Sequence, residues 1–349
     1  MSDIRNENIE EKAATKNVRL NEQVKGESLP LSTTADAFSA TPSPRGSTPK
    51  TPEENIERKL NFIDLFAGCG GLSEGFLSTE KYNALAHVEW ELPMVNTLRE
   101  RLVEKWNHSE EEAKRRVVRF DIQKTEELIH GSWSEESKKI YEKDNASLVV
   151  NGGLRSVVGE QPVDLIIGGP PCQAYSIAGR AQSPTKMQDD YRNYLFESYA
   201  KVVDHFKPKL FVFENVVGIL SMDKGNLFKR VQEEFNSIGY DLKYKVLNAV
   251  DYGVPQQRER VILVGFKGNN PFEYPEATHG EGKKPFVTLK DAFGDLPVIK
   301  SGEESTKYAK DADNEFLAFV RNSGDILTEH KAPNNGAHLI KIMETLKDG

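Results

Sequence analysis

The sequence predicts an α/β fold: a seven-stranded, mostly parallel sheet with helices on both faces. Two observations carry that expectation. From Asn61 onward, short apolar runs alternate with amphipathic segments, as in parallel sheets covered on both sides. The segments between the runs place apolar residues at helical spacing, as in Leu195, Tyr199, Val202 and Phe206, or Leu227, Val231, Phe235 and Ile238. The expected strands are Phe62 to Phe66, Ala84 to Val88, Val117 to Phe120, Val163 to Ile167, Leu210 to Phe213, Leu242 to Leu247 and Val261 to Phe266.

Around this sheet the chain of 349 residues divides by composition. Residues 1–58 are polar and include Thr41-Pro42-Ser43-Pro44 and Thr48-Pro49-Lys50-Thr51-Pro52, so a disordered tail is expected there. Residues 59–268 form the expected catalytic domain. It carries a polar insertion at about 125–161, read as a surface excursion because Ser134-Glu135-Glu136-Ser137-Lys138-Lys139 offers little to bury. Residues 269–349 are loop-rich, with Asn269-Asn270-Pro271 and His279-Gly280-Glu281-Gly282 as turn signals.

Composition narrows the function. With two cysteines, Cys69 and Cys172, a disulfide framework and an all-cysteine metal site are excluded, and no His or Cys pair has zinc-ligand spacing, so no metal is expected. The sequence holds neither an apolar run of about 18 residues nor a signal peptide, so an intracellular location is expected: cytoplasmic, and with the nucleoid in a bacterium. A net charge of -8 argues against nucleic-acid binding through the global field and leaves room for a local basic groove.

The chemistry-bearing residues fall at the ends of the expected strands. The first strand runs into Phe66-Ala67-Gly68-Cys69-Gly70-Gly71-Leu72, whose glycines permit close backbone approach by a nucleotide-like ligand. The spacing is neither G-x-G-x-x-G nor a P-loop, which disfavours a pyrophosphate. Glu89 and Trp90 end the second strand, offering a carboxylate for ribose hydroxyls and a ring for an adenine face, and Asp121-Ile122 ends the third with an acceptor for an exocyclic amine. Together they point to an adenosine-bearing cofactor. The fourth strand leads into Gly168-Gly169-Pro170-Pro171-Cys172-Gln173, a thiol on a loop that two prolines stiffen. The fifth delivers Glu214, a carboxylate rising from an apolar run and suited to hold or donate a proton. Arg258 and Arg260 flank the start of the last strand, one expected to face the site while the other braces the structure.

In order and spacing, the Phe66–Gly71 turn, Gly169-Pro170-Pro171-Cys172-Gln173, Glu214-Asn215-Val216 and Gln256-Gln257-Arg258-Glu259-Arg260 resemble the DNA cytosine-5 methyltransferases. The likeness covers Asn61 to Phe266 and continues more weakly through residues 287–297. It implies a Rossmann-like, S-adenosylmethionine-dependent methyltransferase fold acting on double-stranded DNA, with the target cytosine flipped out of the helix. By this resemblance Phe66, Ala67, Gly68, Gly70, Gly71, Leu72 and Pro170 belong to the cofactor pocket. Glu89 binds ribose hydroxyls, Trp90 stacks on adenine, and Asp121 with Ile122 meets the adenine edge. Cys172 is the nucleophile held in register by Pro171, Glu214 engages cytosine N3 and N4, and Arg260, with Arg258 nearby, contacts the base carbonyl. In such enzymes a target-recognition domain and a closing Gly-Asn segment follow; this chain is expected to end before both. Three readings follow: the catalytic portion of a restriction-modification enzyme that acts with a second polypeptide carrying the recognition region, a catalytically silent protein that binds cofactor or a partner, and a tRNA cytosine-5 methyltransferase-like enzyme.

Overall fold

The computed structural model describes residues 58–171, 194–268, 272–321 and 326–346. Within them, β1 (Leu60–Leu65), β2 (Tyr82–Glu89), β3 (Val117–Arg119), β4 (Leu165–Gly168), β5 (Leu210–Val216), β6 (Asp241–Asn248) and β7 (Glu259–Phe266) form one sheet in the order β3-β2-β1-β4-β5-β7-β6. The first five strands pair in parallel, and β7 runs antiparallel to both β5 and β6. All seven expected strands are present. The strand order reverses between β1 and β4, which in open parallel sheets leaves a crevice beyond the strand ends.

Successive residues of a strand point to opposite faces, and β1 shows both faces covered. Phe62 packs with Ala84, Leu165 and Ile167 beneath Leu72 and Phe76 of α1 (Gly71–Leu77). Ile63 and Leu65 join the larger core on the other face. That core takes in α6 (Ser147–Val158), α7 (Leu195–Phe206) and α8 (Asn226–Ser237), through side chains such as Leu154, Tyr199 and Phe235.

The centre of the sheet admits no side chain at Gly168. A Cβ there would lie 2.4 Å from the Leu65 carbonyl oxygen and 2.9 Å from the Tyr199 ring. Tyr199 is fully buried, with its hydroxyl 3.0 Å from the Val212 oxygen and 3.2 Å from that of Ile166. Burial pushes its phenol well above the usual value, so it stays a donor to β4 and β5.

The insertion departs from the expected surface excursion. It folds as α4 (Thr125–His130), α5 (Glu135–Tyr141) and α6, and buries Leu128, Trp133, Tyr141 and Leu154 in the main core. Sparse apolar residues spaced among charges are enough to anchor short helices. Beyond β7 the described residues form short helices α9 (Leu289–Phe293), α10 (Glu315–Val320) and α11 (Ala337–Glu344) joined by loops. Residues 1–57 of the expected tail lie outside the described residues. No helix among the described residues is long and apolar enough to cross a membrane.

A charged knot fixes the crossover between α2 (Leu92–Glu104) and β3. Glu112 on α3 (Glu110–Arg116) pairs with Arg115 and Arg116, which donate onward to the carbonyls of Val157 and Ala84. The hydrogen bond from Arg115 holds the Glu112 carboxyl well below the usual carboxylate range, at about 2. A carboxylate whose folded pKa is depressed contributes stability above its unfolded pKa and loses it as pH falls through the folded one. Glu112→Gln is therefore expected to cost about 1–2 kcal/mol at pH 7. The deficit should shrink between pH 4.5 and pH 2, as read by denaturant unfolding of both proteins across that range.

Candidate active site

A cleft of about 400 Å³ opens beyond the C-terminal ends of β1 to β4, at the point where the strand order reverses. Phe66, Gly68, Glu89, Trp90, Asp121 and Ile122 line one side, and Gly169 and Pro171 approach from the other.

The turn after β1 owes its shape to left-handed backbone at Phe66 (φ 60°), Gly68 (φ 56°) and Gly70 (φ 84°). A non-glycine residue in that region is strained, and here Phe66 is held by its neighbours: Ala67 donates to the Val88 carbonyl at 3.0 Å, and Gly70 to Ala67 at 2.8 Å. Gly68 donates to Glu89 Oε2 at 2.8 Å. Glu89 Oε1 accepts in turn from the amides of Trp90 (2.8 Å) and Glu91 (2.9 Å). One carboxylate thus ties the glycine turn to the end of β2. A carboxylate offers about four lone-pair sites, so three amides leave Glu89 with acceptor capacity at the cleft.

Trp90 stands 44% exposed on the cleft wall, while Ile122 is buried beneath. Asp121 Oδ1 accepts from the Gln123 amide at 3.0 Å, and its Oδ2 takes no hydrogen bond among the described residues. The space where a Cβ of Gly68 would stand is open for 4 Å around. A flat ring, two carboxylates with spare acceptors and an unfilled glycine position fit an adenosine-bearing group.

Not every residue of the turn reaches this wall. Ala67 packs with Val95 and Leu98 of α2, and Leu72 points into the core under β1. A Cβ at Gly70 would meet Leu98 at 2.5 Å, and Gly71 begins α1; neither is part of the cleft lining. Pro170 is buried behind the lining, and Pro171 is exposed upon it. The turn becomes a helix too soon for its last residues to face a ligand. Conversely, Met94 and Leu195 line the cleft without having been signalled by any motif; Met94 could have been found from its place just after Trp90, at the start of α2.

Glu214 and Arg260 are brought together. Arg260 Nε donates to Glu214 Oε1 at 2.8 Å, with both side chains about a quarter exposed. In the ladder Glu214 faces Ile262 and Arg260 faces Val216, so the two are diagonal neighbours on one face of the β5–β7 pair. A Cβ on Gly169 would lie 2.8 Å from Glu214 Oε2, which puts this carboxylate directly against the backbone leading to Pro171. Arg258 does not join them. Residues 258 and 260 of a continuous strand would share a face, but β7 starts at Glu259, and Arg258 sits exposed with its amide donated to Asn248 Oδ1 at 2.9 Å. Cys172 lies outside the described residues. Among those residues no group of three or more His, Cys, Asp or Glu side chains is arranged to hold a metal ion.

Residues 120–332, more than half of the chain, match the family described as C-5 cytosine-specific DNA methylase. The chain belongs to that family. Among its relatives, this C-5 cytosine methylase chain is 35% identical to Type II methyltransferase M.Bpa9945I of Bacillus paralicheniformis, over 68% of this chain and 61% of that protein. It is 33% identical to M.DdeI of Desulfomicrobium norvegicum, over 83% and 61%. With M.AquIA of Picosynechococcus it shares 32% identity, over 69% of this chain and 90% of the relative. A crystal structure described as that of a prophage-encoded DNA modification methyltransferase from E. coli aligns at 26% identity with a TM-score of 0.51, covering 76% of this chain and 67% of that one. The methylase chain spans about six-tenths of the length of M.Bpa9945I and M1.HphI.

Because Glu89 joins two strand ends through three amides, its neutral isostere should loosen the turn. Gln offers an NH₂ group where a carboxylate oxygen accepted an amide. Glu89→Gln is expected to lower stability by about 1–3 kcal/mol, measured by thermal denaturation without ligand; an unchanged midpoint would show that the turn holds itself.

Proposed function

We propose that this chain is the catalytic portion of a DNA cytosine-5 methyltransferase of a restriction-modification system, which methylates C5 of a cytosine flipped out of duplex DNA. The observation that carries the reading is the Glu214–Arg260 pair set against Gly169, a residue two before Pro171 that itself lines the cleft of Trp90, Glu89 and Asp121. It supports a division of labour in which one side of the crevice takes the cofactor and the other takes the base.

In this reading Glu89 accepts from ribose hydroxyls, the Trp90 ring stacks on adenine, and Asp121 Oδ2 accepts from the adenine amine. S-adenosylmethionine, when bound, supplies a methyl group made electrophilic by its sulfonium. Cytosine C5 is a weak nucleophile, so Cys172 as a thiolate adds to C6 and moves electron density towards C5. Glu214 holds a proton at N3, where negative charge would otherwise collect. Arg260 orients the Glu214 carboxylate through Nε, is itself held by Nη1 donating to the Glu259 carbonyl, and offers Nη2 to the base carbonyl. Loss of the C5 proton to a water molecule, with the N3 proton handed back to Glu214, then lets the C6–sulfur bond break, restores the ring's double bond and returns the thiolate. Pro171 stiffens the loop that presents it. This cannot happen within stacked DNA, hence the flipped base.

The region after β7 supports a partner as well. Val298, Phe319, Ile326 and Leu346 each expose 71% or more of a large apolar side chain. Exposed apolar side chains of this size favour cover by another surface where they adjoin. A second polypeptide is one occupant that such surface would suit.

The test is a duplex containing 5-fluorocytosine, offered with tritiated S-adenosylmethionine to the chain, alone and with a polypeptide carrying the remaining length of a relative. A covalent complex resistant to denaturant is expected from the wild type and none from Cys172→Ser. Glu214→Gln is expected to slow methyl transfer by about 10²-fold or more. No adduct and no transfer under either condition would overturn the reading.

A further inference from the structure

The segment Trp133–Asn145 contributes no residue to the cleft lining, yet it packs behind one ring of the cleft and, through Arg119, ties down the backbone that carries another. Phe120, on the lining, stacks on Trp133 with centroids 4.3 Å apart and an interplanar angle of 28°, and lies 5.0 Å from the Tyr141 ring. Trp133 is itself anchored, its Nε1 donating to the Glu127 carbonyl at 3.0 Å.

Trp90 is held through Arg119, the last residue of edge strand β3. Arg119 Nε donates to the Trp90 carbonyl at 3.2 Å, while Nη1 pairs with Asp144. The guanidinium lies over the Tyr141 ring, 5.4 Å from its centroid, and is mostly buried. Asn145 completes the clamp: its Oδ1 accepts from the Arg119 amide and its Nδ2 donates to the Arg119 carbonyl, both at 3.0 Å. This side chain therefore exchanges both hydrogen bonds with the edge strand, as a neighbouring strand would. Nδ2 also donates to the Tyr141 carbonyl at 2.7 Å, locking α5 to the same point.

We propose that Arg119, Asp144 and Asn145 are positioning residues that set the affinity of the cleft for the adenosine part of its cofactor, by fixing the backbone that carries Trp90 and Phe120 before the cofactor arrives. The inference rests on the cofactor reading above. A wall already in place costs the ligand less ordering on binding. Because the clamp meets only the side of the cleft assigned to adenosine, it governs cofactor binding and leaves the Glu214–Arg260 pair untouched.

Two variants test this. Asp144→Asn removes the charge opposite Arg119. Arg119→Lys keeps that attraction but loses the planar fork and with it the bond to the Trp90 carbonyl. Calorimetric titration with S-adenosylmethionine should give a dissociation constant about 5- to 10-fold weaker for each variant, converting to about 1–1.4 kcal/mol. The change in tryptophan fluorescence on saturation should shrink, and methyl transfer at saturating cofactor should stay within about twofold of wild type. Lys139→Ala, in the same segment but outside the clamp, should bind as wild type does. Should Asp144→Asn fail to fold, Arg119→Lys alone decides. Wild-type affinity in Arg119→Lys, with only a lowered melting midpoint, would overturn the proposal and reduce the segment to core. Absence of binding by the wild-type chain would overturn the cofactor reading itself, and this inference with it.

Discussion

The carboxylate of Glu89 is the point on which the cleft depends. It accepts backbone amides from Gly68, Trp90 and Glu91, and so makes the left-handed turn after β1, the end of β2 and the approach to α2 a single unit. Without an acceptor there, three N–H groups from two chain segments would face one another with no partner. Their common need for one acceptor fixes how the glycine turn sits against the end of β2. A charged acceptor does this better than a neutral one, since hydrogen bonds to ionised groups are the stronger ones.

Much of this was legible in the sequence, and the failures have physical causes. The strands could be read because buried parallel strands leave uninterrupted apolar runs such as Leu210-Phe211-Val212-Phe213. That Glu89, Trp90 and Asp121 share one cleft wall could be read because all three stand at the ends of neighbouring parallel strands. The pairing of Glu214 with Arg260 could not be, since it depends on the register between β5 and an antiparallel strand. Nor was the separation of Arg258 from Arg260 legible, because it turns on where β7 begins. The insertion misled because α5 buries only Ser137 and Tyr141 among its charged neighbours, too few for an amphipathic pattern to show. Ala67 and Leu72 went astray for the opposite reason: a motif contiguous in sequence is split in space when the turn becomes a helix.

The site is also layered. Few of its groups stand alone: Trp90 leans on Arg119, Arg119 on Asp144 and Asn145, and Phe120 on Trp133. The crevice between parallel strands is generic to the architecture, while the supporting shell behind the third strand is supplied by this chain's own insertion. A ring held as Phe120 is, between Trp133 and Tyr141, has few rotamers to lose when a ligand arrives.

The antiparallel direction of β7 has one more implication. Arg260 stands near the start of its strand and Glu214 near the end of its own, and their meeting is set by the ladder rather than by the loops between them. A slip of one residue would turn Arg260 to the opposite face and, in the same motion, carry Val261 and Leu263 out of the core. The hydrophobic core therefore proofreads the polar pair. Misaligned chains are rejected by their lost burial during folding, before any chemistry is attempted.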